Sequence, residues 1–509
     1  MGLRIWSFIG AALIIFSGIS AIPGNSTARA QTGFTISGRV TEPPSGTGVG
    51  ISEVTVTLTV NSSTQTMTQT DSNGNFSFPN IPAGSDYDVR PSKPSYTFSP
   101  TSQGGTNLQG NRELFFTGAA SASSTVQFSA AAFSFTETST SLSITVTRTG
   151  DISGIASVSY ATSDTASANN CNVVNGAASS RCDYITAIGT LRFAGGESSK
   201  NILIPIIDDV YVEGSETFTI TLSNATGATL GSPSTATITI NESETGGANP
   251  IDQAGFFVRQ HYIDFLNREP DAAGLNFWTG EIDGCTPKPQ CIEIKRINVS
   301  AAFFLSIEFQ ETGYLVYRMY KSAYGDTTSP NVAIPVPIIR LLEFLPDAQS
   351  IGHGVQVGVG DWQTQLENNK SALAAEFVSR SRFTSRFPTT MTSDDFVSAL
   401  YANAEVTPSA DERAATISAF GSGDTAGRAR ALRHVAENSR LAQQEFNKAF
   451  VLMQYYGYLR RNPDDPQDTD FSGWEFWLGK LNQFNGNFVN AQMVKAFLDS
   501  IEYRQRFAP

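Results

Sequence analysis

The sequence predicts a multidomain protein in which two N-terminal all-β sandwiches precede an all-α helical repeat domain. Residues 31–247 are dense in Thr, Ser, Val and Ile that alternate with a period of two, and Gly, Asn, Asp and Pro turns separate the runs. Beyond about residue 248, aromatic and apolar residues recur three and four positions apart, which is the spacing of helices. A length of 509 residues accommodates several separate cores.

The charge composition excludes one class of function. Charged residues make up only 16% of the chain, and acidic residues outnumber basic ones by 47 to 34, which gives a net charge of −13. No basic run stands out, so we expect no nucleic-acid partner. The low charge fraction, filled by Ser, Thr, Gly and Asn, is typical of extracellular β domains.

The first 30 residues are predicted to be a signal peptide. Arg4 precedes the mostly apolar stretch Ile5–Ile19, and Ala28–Ala30 forms a small-x-small cleavage site, so the mature chain is expected to begin at Gln31. An uncleaved membrane anchor is the alternative, although the apolar stretch is shorter than the roughly 20 residues of a membrane-spanning helix. We therefore expect an exported protein, extracellular or at the cell surface, with the periplasm as a further location. No transmembrane segment is expected after cleavage.

Four cysteines form two close pairs in the sequence, Cys171 with Cys182 and Cys285 with Cys291. Four cysteines allow three pairings, and the local one is favoured because each pair brackets a loop rich in Asn, Gly, Ser or Pro. Export makes disulfide formation feasible. A zinc site is the alternative, but no CxxC motif occurs and the three histidines are scattered.

The first β domain is expected to span residues 31–118. In it, Ser37–Val40 is followed by the alternating run Val54–Val60 and then by Thr70–Phe78, which contains an Asp-x-Asn-Gly turn. The Asn73-Gly74 pair accepts positive φ, so it can connect two strands whose inner face includes Phe76 and Phe78. This order of segments resembles the carboxypeptidase-regulatory-like, transthyretin-like sandwich.

The second β domain is expected to span residues 119–245, and its segments follow a recognisable order. They are Phe133–Glu137, Val146–Gly150, Tyr160–Ala166, Asp183-Tyr184, Gly189–Phe193, Ile204–Asp209, Val212–Glu216 and Leu230–Ile240. In this order the domain resembles a Calx-beta domain. An insertion between Ala166 and Asp183 carries the first cysteine pair, and a disulfide there would restrain a loop that the family usually keeps short.

The acidic residues of this domain predict a calcium site. Asp208, Asp209, Glu213 and Glu216 place four carboxylates within nine residues at a strand end, and Ca²⁺ takes six to eight oxygen ligands. The Calx-beta resemblance implies that further acids share the same tip. These are Glu137, Asp164 and the final acidic stretch Asn241-Glu242-Ser243-Glu244, in which Glu242 is the expected ligand. Calcium-binding relatives carry consecutive aspartates at that stretch, and a solvated acidic rim is the alternative interpretation.

A linker at residues 246–250 is predicted to lead into a helical domain at 251–509 whose two ends repeat each other. Tyr262, Arg268, Pro270, Asp271 and Gly274–Ile282 recur as Tyr455, Arg461, Pro463, Asp464 and Gly473–Leu481. Each copy ends alike, at Phe304–Phe309 and Phe497–Tyr503. These units resemble the bacterial domain of unknown function 4214, which is found in exported and surface proteins.

The repeated aromatic pairs, Phe277 with Trp278 and Phe476 with Trp477, have two interpretations. One repeat unit cannot bury such side chains alone, so neighbouring units are expected to share a core. The alternative is that these aromatics face a ligand, such as a peptide or glycan, in a groove.

The sequence contains no recognisable catalytic motif. It has no Gly-x-Ser-x-Gly, no His-Glu-x-x-His and no phosphate-binding loop, and its three histidines lie at least 81 residues apart. We therefore expect a non-enzymatic exported surface or extracellular-matrix protein of the adhesion type, with Ca²⁺ bound and an extracellular protein or glycan as partner. One alternative is a secreted carbohydrate- or peptide-binding accessory module, and another is a hydrolase with its site in the helical domain.

Overall fold

The computed structural model of the protein describes residues 33–93, 96–120, 124–163, 171, 175–243 and 246–509. The predicted signal peptide therefore lies outside the described residues. The chain divides into two compact units, residues 1–122 and 123–509. The first unit contains one β-sandwich, and the second contains the other sandwich together with the helical region.

Eight strands form the first unit. They are β1 (Phe34–Thr41), β2 (Thr55–Val60), β3 (Thr64–Gln69), β4 (Asn75–Ile81), β5 (Tyr87–Ser92), β6 (Tyr96–Ser99), β7 (Gln103–Gly105) and β8 (Arg112–Ala120). One sheet has the order β4-β1-β8-β6 and the other β3-β2-β5-β7. Strands β1 and β8 are parallel, whereas β1 and β4 are antiparallel.

The period-two pattern positions the core of this unit as the sequence predicts. In β2, Val56 and Leu58 are fully buried between half-buried threonines, and in β4 Phe76 and Phe78 are buried. The turn before β4 places Gly74 at φ +79°, a conformation that glycine adopts without steric penalty.

The second sandwich has nine strands. They are β9 (Thr125–Phe128), β10 (Ala132–Thr136), β11 (Ser141–Thr149), β12 (Ala156–Thr162), β13 (Ile188–Phe193), β14 (Ser199–Pro205), β15 (Glu216–Thr226), β16 (Thr229–Leu230) and β17 (Thr235–Asn241). They form a five-stranded sheet, β10-β17-β15-β12-β13, and a four-stranded sheet, β14-β11-β9-β16.

Strand direction brings several connections of this sandwich to one end. Strands β10 and β17 are parallel, and β15 is antiparallel to both β17 and β12, so β10, β12 and β17 all end at the same edge. In the other sheet β11 begins at that edge and β14, antiparallel to it, ends there. We call this edge the acidic end. Its segments are residues 137–140, 175–187, 206–215 and 242–243.

Residues 250–509 form the helical region. Its helices are α1 (Ala254–Leu266), α2 (Ala272–Asp283), α3 (Pro289–Leu305), α4 (Ile307–Glu311), α5 (Gly313–Tyr324), α6 (Leu341–Gly352), α7 (Trp362–Phe377), α8 (Ser381–Arg386), α9 (Ser393–Ala404), α10 (Ala410–Phe420), α11 (Thr425–Ala436), α12 (Ser439–Gln454), α13 (Ser472–Gln483), α14 (Met493–Leu498) and α15 (Ile501–Arg504). A 3₁₀ turn at Pro250–Asp252, a π-helical turn at Tyr455–Leu459 and the two-residue strands β18 (Asp326–Thr327) and β19 (Val336–Pro337) complete it.

The residues that recur in the helical sequence make corresponding contacts. Arg268 pairs with Glu308 through its Nε at 2.7 Å, and Arg461 pairs with Glu502 at the same distance. Each guanidinium also lies over the tyrosine of its own copy, Tyr262 or Tyr455, at 5.0 and 5.5 Å from the ring centre. The recurring residues are thus used for the same local packing in both copies.

Both predicted disulfides are confirmed. Cys171 is bonded to Cys182 with their Cα atoms 5.6 Å apart, and Cys285 is bonded to Cys291 with a Cα separation of 5.4 Å. Such bonds persist in extracellular or otherwise oxidising surroundings. Among the helices described here, none is long and apolar enough to cross a membrane.

Candidate metal centre

Three acidic side chains meet at the acidic end of the second sandwich. One carboxylate oxygen from each of Asp183, Asp209 and Glu213 lies within 4.8 Å of the other two. Asp183 precedes β13, whereas Asp209 and Glu213 lie in the connection from β14 to β15. The site is therefore built by two connections that the strand order brings together, and not by one acidic run.

Local hydrogen bonds fix the positions of the Asp183 and Asp209 carboxylates. The Ser179 N–H donates to the Asp183 carboxylate, and the Tyr184 ring that follows stacks on Phe218 with centroids 3.8 Å apart. Asp209 Oδ1 accepts from the Tyr211 N–H at 2.8 Å, which is an Asx-type turn. These contacts hold the carboxylates in place before any ligand arrives.

Two further acids extend the group. Glu216, the first residue of β15, shares a side-chain hydrogen bond with Asp183. Glu242, directly after β17, accepts hydrogen bonds from the backbone N–H groups of Glu213 and Gly214 at 2.5 and 2.8 Å. We refer to Asp183, Asp209, Glu213, Glu216 and Glu242 as the carboxylate cluster.

The structure places the remaining predicted ligands as follows. Glu137 is buried directly after β10, and its N–H donates to the Asn241 carbonyl at 3.1 Å. Asp208 is half-buried beside Asp209. Asp164 lies outside the described residues. The structure therefore brings Asp209, Glu213, Glu216 and Glu242 into one cluster, with Glu137 and Asp208 on the neighbouring segments of the acidic end.

Burial distinguishes this cluster from a solvated acidic rim. Asp183 and Asp209 are only 5% and 2% exposed, and Glu216 is 5% exposed. Acids of a solvated rim keep most of their surface in water, and isolated buried carboxylates are strongly disfavoured. A proton or a cation bound at these side chains would therefore offset part of the cost of burying their charge.

Burial also raises the pKa values of three carboxyl groups of the cluster. Burial, together with the charges of Asp183 and Glu242, raises the pKa of Glu213 to about 8. Burial and the neighbouring Asp183 raise the pKa of Glu216 to about 9. Burial raises the pKa of Asp183 to about 6, against the opposing effect of its hydrogen bonds. Without a cation, Glu213 and Glu216 keep protons near neutral pH.

The donor set fits a hard divalent cation. Ca²⁺ prefers carboxylate and carbonyl oxygens, whereas zinc and copper sites use imidazole or thiolate ligands. The cluster offers five carboxylates, and the nearby cysteines are committed to a disulfide. Ca²⁺ accepts irregular geometry with six to eight oxygens, which suits ligands from separate connections.

Asp183 is the member of the cluster that the sequence analysis does not predict. The sequence marks Asp183-Tyr184 as a segment of the second sandwich but assigns it no ligand, and the predicted ligand Asp164 belongs to the preceding segment, Tyr160–Ala166. The available signal was the cysteine at 182, because its disulfide holds the backbone next to the carboxylate. The apolar partner of Tyr184 lies in β15 and could not be read from neighbouring residues.

The helical region packs directly behind the acidic end. The Val210 N–H donates to the Phe507 carbonyl at 3.1 Å, and the Tyr211 hydroxyl donates to the Gln505 carbonyl at 2.9 Å. Ile185 and Ile207 are fully buried and belong to the core of the helical region. Both connections that carry the trio are therefore anchored in the helices.

In each repeated aromatic pair, the phenylalanine is exposed and the tryptophan packs against the helical core. Phe277 and Phe476 are 59% and 55% exposed, and each meets its neighbouring tryptophan edge to face. Trp278 and Trp477 are half-buried and pack against the core. The tryptophans thus serve packing, whereas the phenylalanines present apolar surface to solvent.

Comparison with known families assigns three parts of the chain. Residues 120–244 match the Calx-beta domain model, as the sequence predicts. Residues 243–312, which contain the first of the two sequence copies, match the domain of unknown function DUF4214, whereas the predicted resemblance extends over residues 251–509. Residues 31–116 match the second beta sandwich domain of BOS complex subunit NOMO1-like proteins. The first sandwich thus matches a model other than the carboxypeptidase-regulatory-like one.

Individual relatives are similar to part of the chain. Sodium/calcium exchanger 1 of Bos taurus is 34% identical over 118 residues, and that of Mus musculus is 35% identical over the same length. Each match covers 20% of this chain and 11% of the exchanger, so the chain spans about a ninth of these relatives.

Two solved structures are similar to about a quarter of the chain. The apo-form Calx CBD1 domain is 29% identical and covers 24% of this chain and 99% of its own, with a TM-score of 0.21. The calcium binding domain CBD12 of CALX1.1 is 31% identical, covering 24% of this chain and 49% of its own, also with a TM-score of 0.21. Residues 120–244, which contain the carboxylate cluster, match the Calx-beta family model.

Proposed function

We propose that the second sandwich binds Ca²⁺ at its acidic end. The observation that carries this proposal is the meeting of three carboxylate oxygens, from Asp183, Asp209 and Glu213, within 4.8 Å of one another in a largely buried setting. The match to the Calx-beta family and to sodium/calcium exchangers supports it.

Each member of the cluster has a distinct role in this proposal. Asp183, Asp209 and Glu213 hold the ion directly. Glu216 is hydrogen-bonded to Asp183 and adds negative charge, while Glu242 orients the backbone of Glu213 and Gly214. Mg²⁺ should substitute poorly, because it demands near-octahedral geometry and loses its water reluctantly.

We expect Ca²⁺ to stabilise the mature protein against heat. At about a hundred times its dissociation constant, a ligand that binds only the folded state adds about 2.7 kcal/mol. For a folded unit the size of residues 123–509, this gain in stability corresponds to a rise in melting temperature on the order of 5 °C. Calorimetric melting in Ca²⁺, in Mg²⁺ and in chelator measures the effect, and isothermal titration gives the affinity.

Two isosteric variants and a matched control test the assignment. Asp183→Asn and Asp209→Asn each remove one charge from the cluster and should reduce the calcium response. Asp151→Asn makes the same change in the β11–β12 connection at the opposite end of the sandwich and should leave the response intact. Equal melting curves in Ca²⁺ and chelator for the unmodified protein would contradict the proposal.

We further propose that the protein is exported and acts without catalysis, as a surface or matrix component that binds an extracellular protein or glycan. The two disulfides support an oxidising location. The exposed Phe277 and Phe476, at corresponding positions of the two sequence copies, support a binding role for a helical region built from related units.

Terminal sequencing of the protein from its native source should begin at Gln31, within a residue, and a chain beginning at Met1 in a membrane fraction would refute export with cleavage.

A further inference from the structure

A second polar site lies between the second sandwich and the helical region. It is a cavity of about 310 Å³, which we call the interface cavity. Its lining residues are Ser180, Arg181, Thr186, Leu341, Leu342, Leu345, Arg460, Arg461, Asn462, Asp465 and Pro466. Its volume is at the lower end of the range for small-molecule sites, about 300–1,000 Å³, so it suits a compact ligand.

Arginines make up most of the charged lining of the interface cavity. Three arginines line it, against the single carboxylate of Asp465. That carboxylate is engaged by Arg340 and by the Asn462 backbone and side chain. Outside the lining, Glu502 is shared by Arg181 and Arg461 at 2.9 and 2.7 Å, and Asp468 pairs with Arg461 at 2.8 Å.

One donor in this lining lacks an acceptor. Arg181 Nε is buried and has no hydrogen-bond partner among the described residues. A buried donor without an acceptor is disfavoured, so an acceptor supplied by a ligand would relieve this cost. Part of the lining is apolar, and of these residues Leu341 and Leu345 belong to the helical core.

Arg460, the third arginine that lines the cavity, is present in only the second of the two sequence copies. Asn267 and Arg460 occupy corresponding positions, and both have left-handed backbones, with φ of 54° and 53°. Asn tolerates this conformation well, whereas Arg is uncommon there. The second copy thus carries a conformationally disfavoured arginine, and this residue faces the cavity.

We propose that the interface cavity binds a small organic anion, in which a carboxylate or phosphate head group contacts the arginines and a compact apolar body packs on the leucines. Guanidinium groups bind both oxyanions through paired, charge-assisted hydrogen bonds. This site is separate from the calcium site, because none of the five carboxylates of the cluster lines the cavity.

Ligand-observed NMR titration of the full mature protein, at fixed Ca²⁺ and fixed ionic strength, tests the proposal. The probes are benzoate, phenyl phosphate and the uncharged benzyl alcohol. At least one anion should bind with a dissociation constant on the order of 1 mM, as ligands of this size do, and benzyl alcohol should bind at least tenfold more weakly. Preference for one anion identifies the head group. Absence of binding by both anions, or equal binding of the alcohol, would overturn the proposal.

Variants locate the binding at this cavity. Arg460→Asn introduces the residue of the first copy, which suits the backbone, and should weaken anion binding about tenfold or more. Arg386→Asn makes the same charge change at an exposed position on α8 and should have no effect.

A second pair of variants tests whether a loss of binding could be due to misfolding. Leu342→Glu places a carboxylate at the half-exposed cavity mouth and should also weaken binding, whereas Ile294→Glu, exposed on α3, should not. Retention of binding by both Arg460→Asn and Leu342→Glu would refute the assignment.

Discussion

Replacing Arg506 with Met should destabilise the unit formed by residues 123–509 by about 3–5 kcal/mol. Arg506 is fully buried and makes a two-pronged ion pair with Asp264 at 2.9 and 3.1 Å. It also donates to the backbone carbonyls of Arg181 and Tyr458. The variant removes these donors and leaves the Asp264 charge buried, where it still accepts a hydrogen bond from the Gln260 side chain.

Arg504 provides a control two residues away. It also pairs with an aspartate through two hydrogen bonds, to Asp252 at 2.9 and 2.8 Å, but the two side chains are 37% and 57% exposed. Exposed pairs contribute about 0–1 kcal/mol, so Arg504→Met should have a small effect. Denaturant unfolding followed by tryptophan fluorescence measures both variants, because the four tryptophans beyond residue 250 all lie in the helices.

A double variant separates the loss of the charge pair from the loss of packing. Replacing Asp264 with Leu in the Arg506→Met background removes the stranded charge and should recover part of the stability. If Arg506→Met were as mild as Arg504→Met, the buried pair would not contribute as the geometry indicates.

Calcium affinity should rise by about tenfold or more for each pH unit between pH 6 and 8. Glu213 and Glu216, with pKa values raised to about 8 and 9, hold protons in this range when no cation is bound. Ca²⁺ binds deprotonated oxygens, so binding releases these protons and is favoured as pH rises. Release of one proton changes the binding free energy by about 1.4 kcal/mol per pH unit.

The stability of the calcium-free protein should change in the opposite direction. A carboxyl whose pKa is raised on folding gives the folded state more bound protons than the unfolded state. Its contribution to stability is therefore present below pH 4.5 and is lost as pH rises through about 9. The gap between melting temperatures in Ca²⁺ and chelator should accordingly widen from pH 6 to pH 8.

Titration calorimetry in buffers of different ionisation enthalpy counts the protons released. Glu216→Gln, which imitates the protonated side chain, should reduce the count by about one, whereas Asp151→Asn should not change it. An affinity that is equal at pH 6 and pH 8 would show that the cluster is already ionised without calcium.

The sequence predicts most of the architecture because the signals are local. Alternation places Val56 and Leu58 in the first core, as it does Leu142 and Ile144 in the second. The two disulfides could be predicted because each closes a short loop. The distinction between β-rich and helical halves rests likewise on periodicity within short windows.

The candidate site could be predicted only in part, because half of it depends on long-range pairing. Asp209, Glu213 and Glu216 are close in the chain, so their clustering is visible in the sequence. Asp183 joins them only through the folded sheet, since β13 and β15 both pair with β12. The packing of the helices behind the acidic end and the interface cavity likewise rely on residues hundreds of positions apart.

The contacts of Arg506 also have a consequence for folding kinetics. This one side chain joins Asp264, 242 positions earlier, and the Arg181 carbonyl, 325 positions earlier. Contacts of such sequence separation require the closure of long loops, which slows folding. The sandwich and the helices can therefore complete their joint structure only after residues 504–507 have joined the fold, so these residues act late in the assembly of this unit.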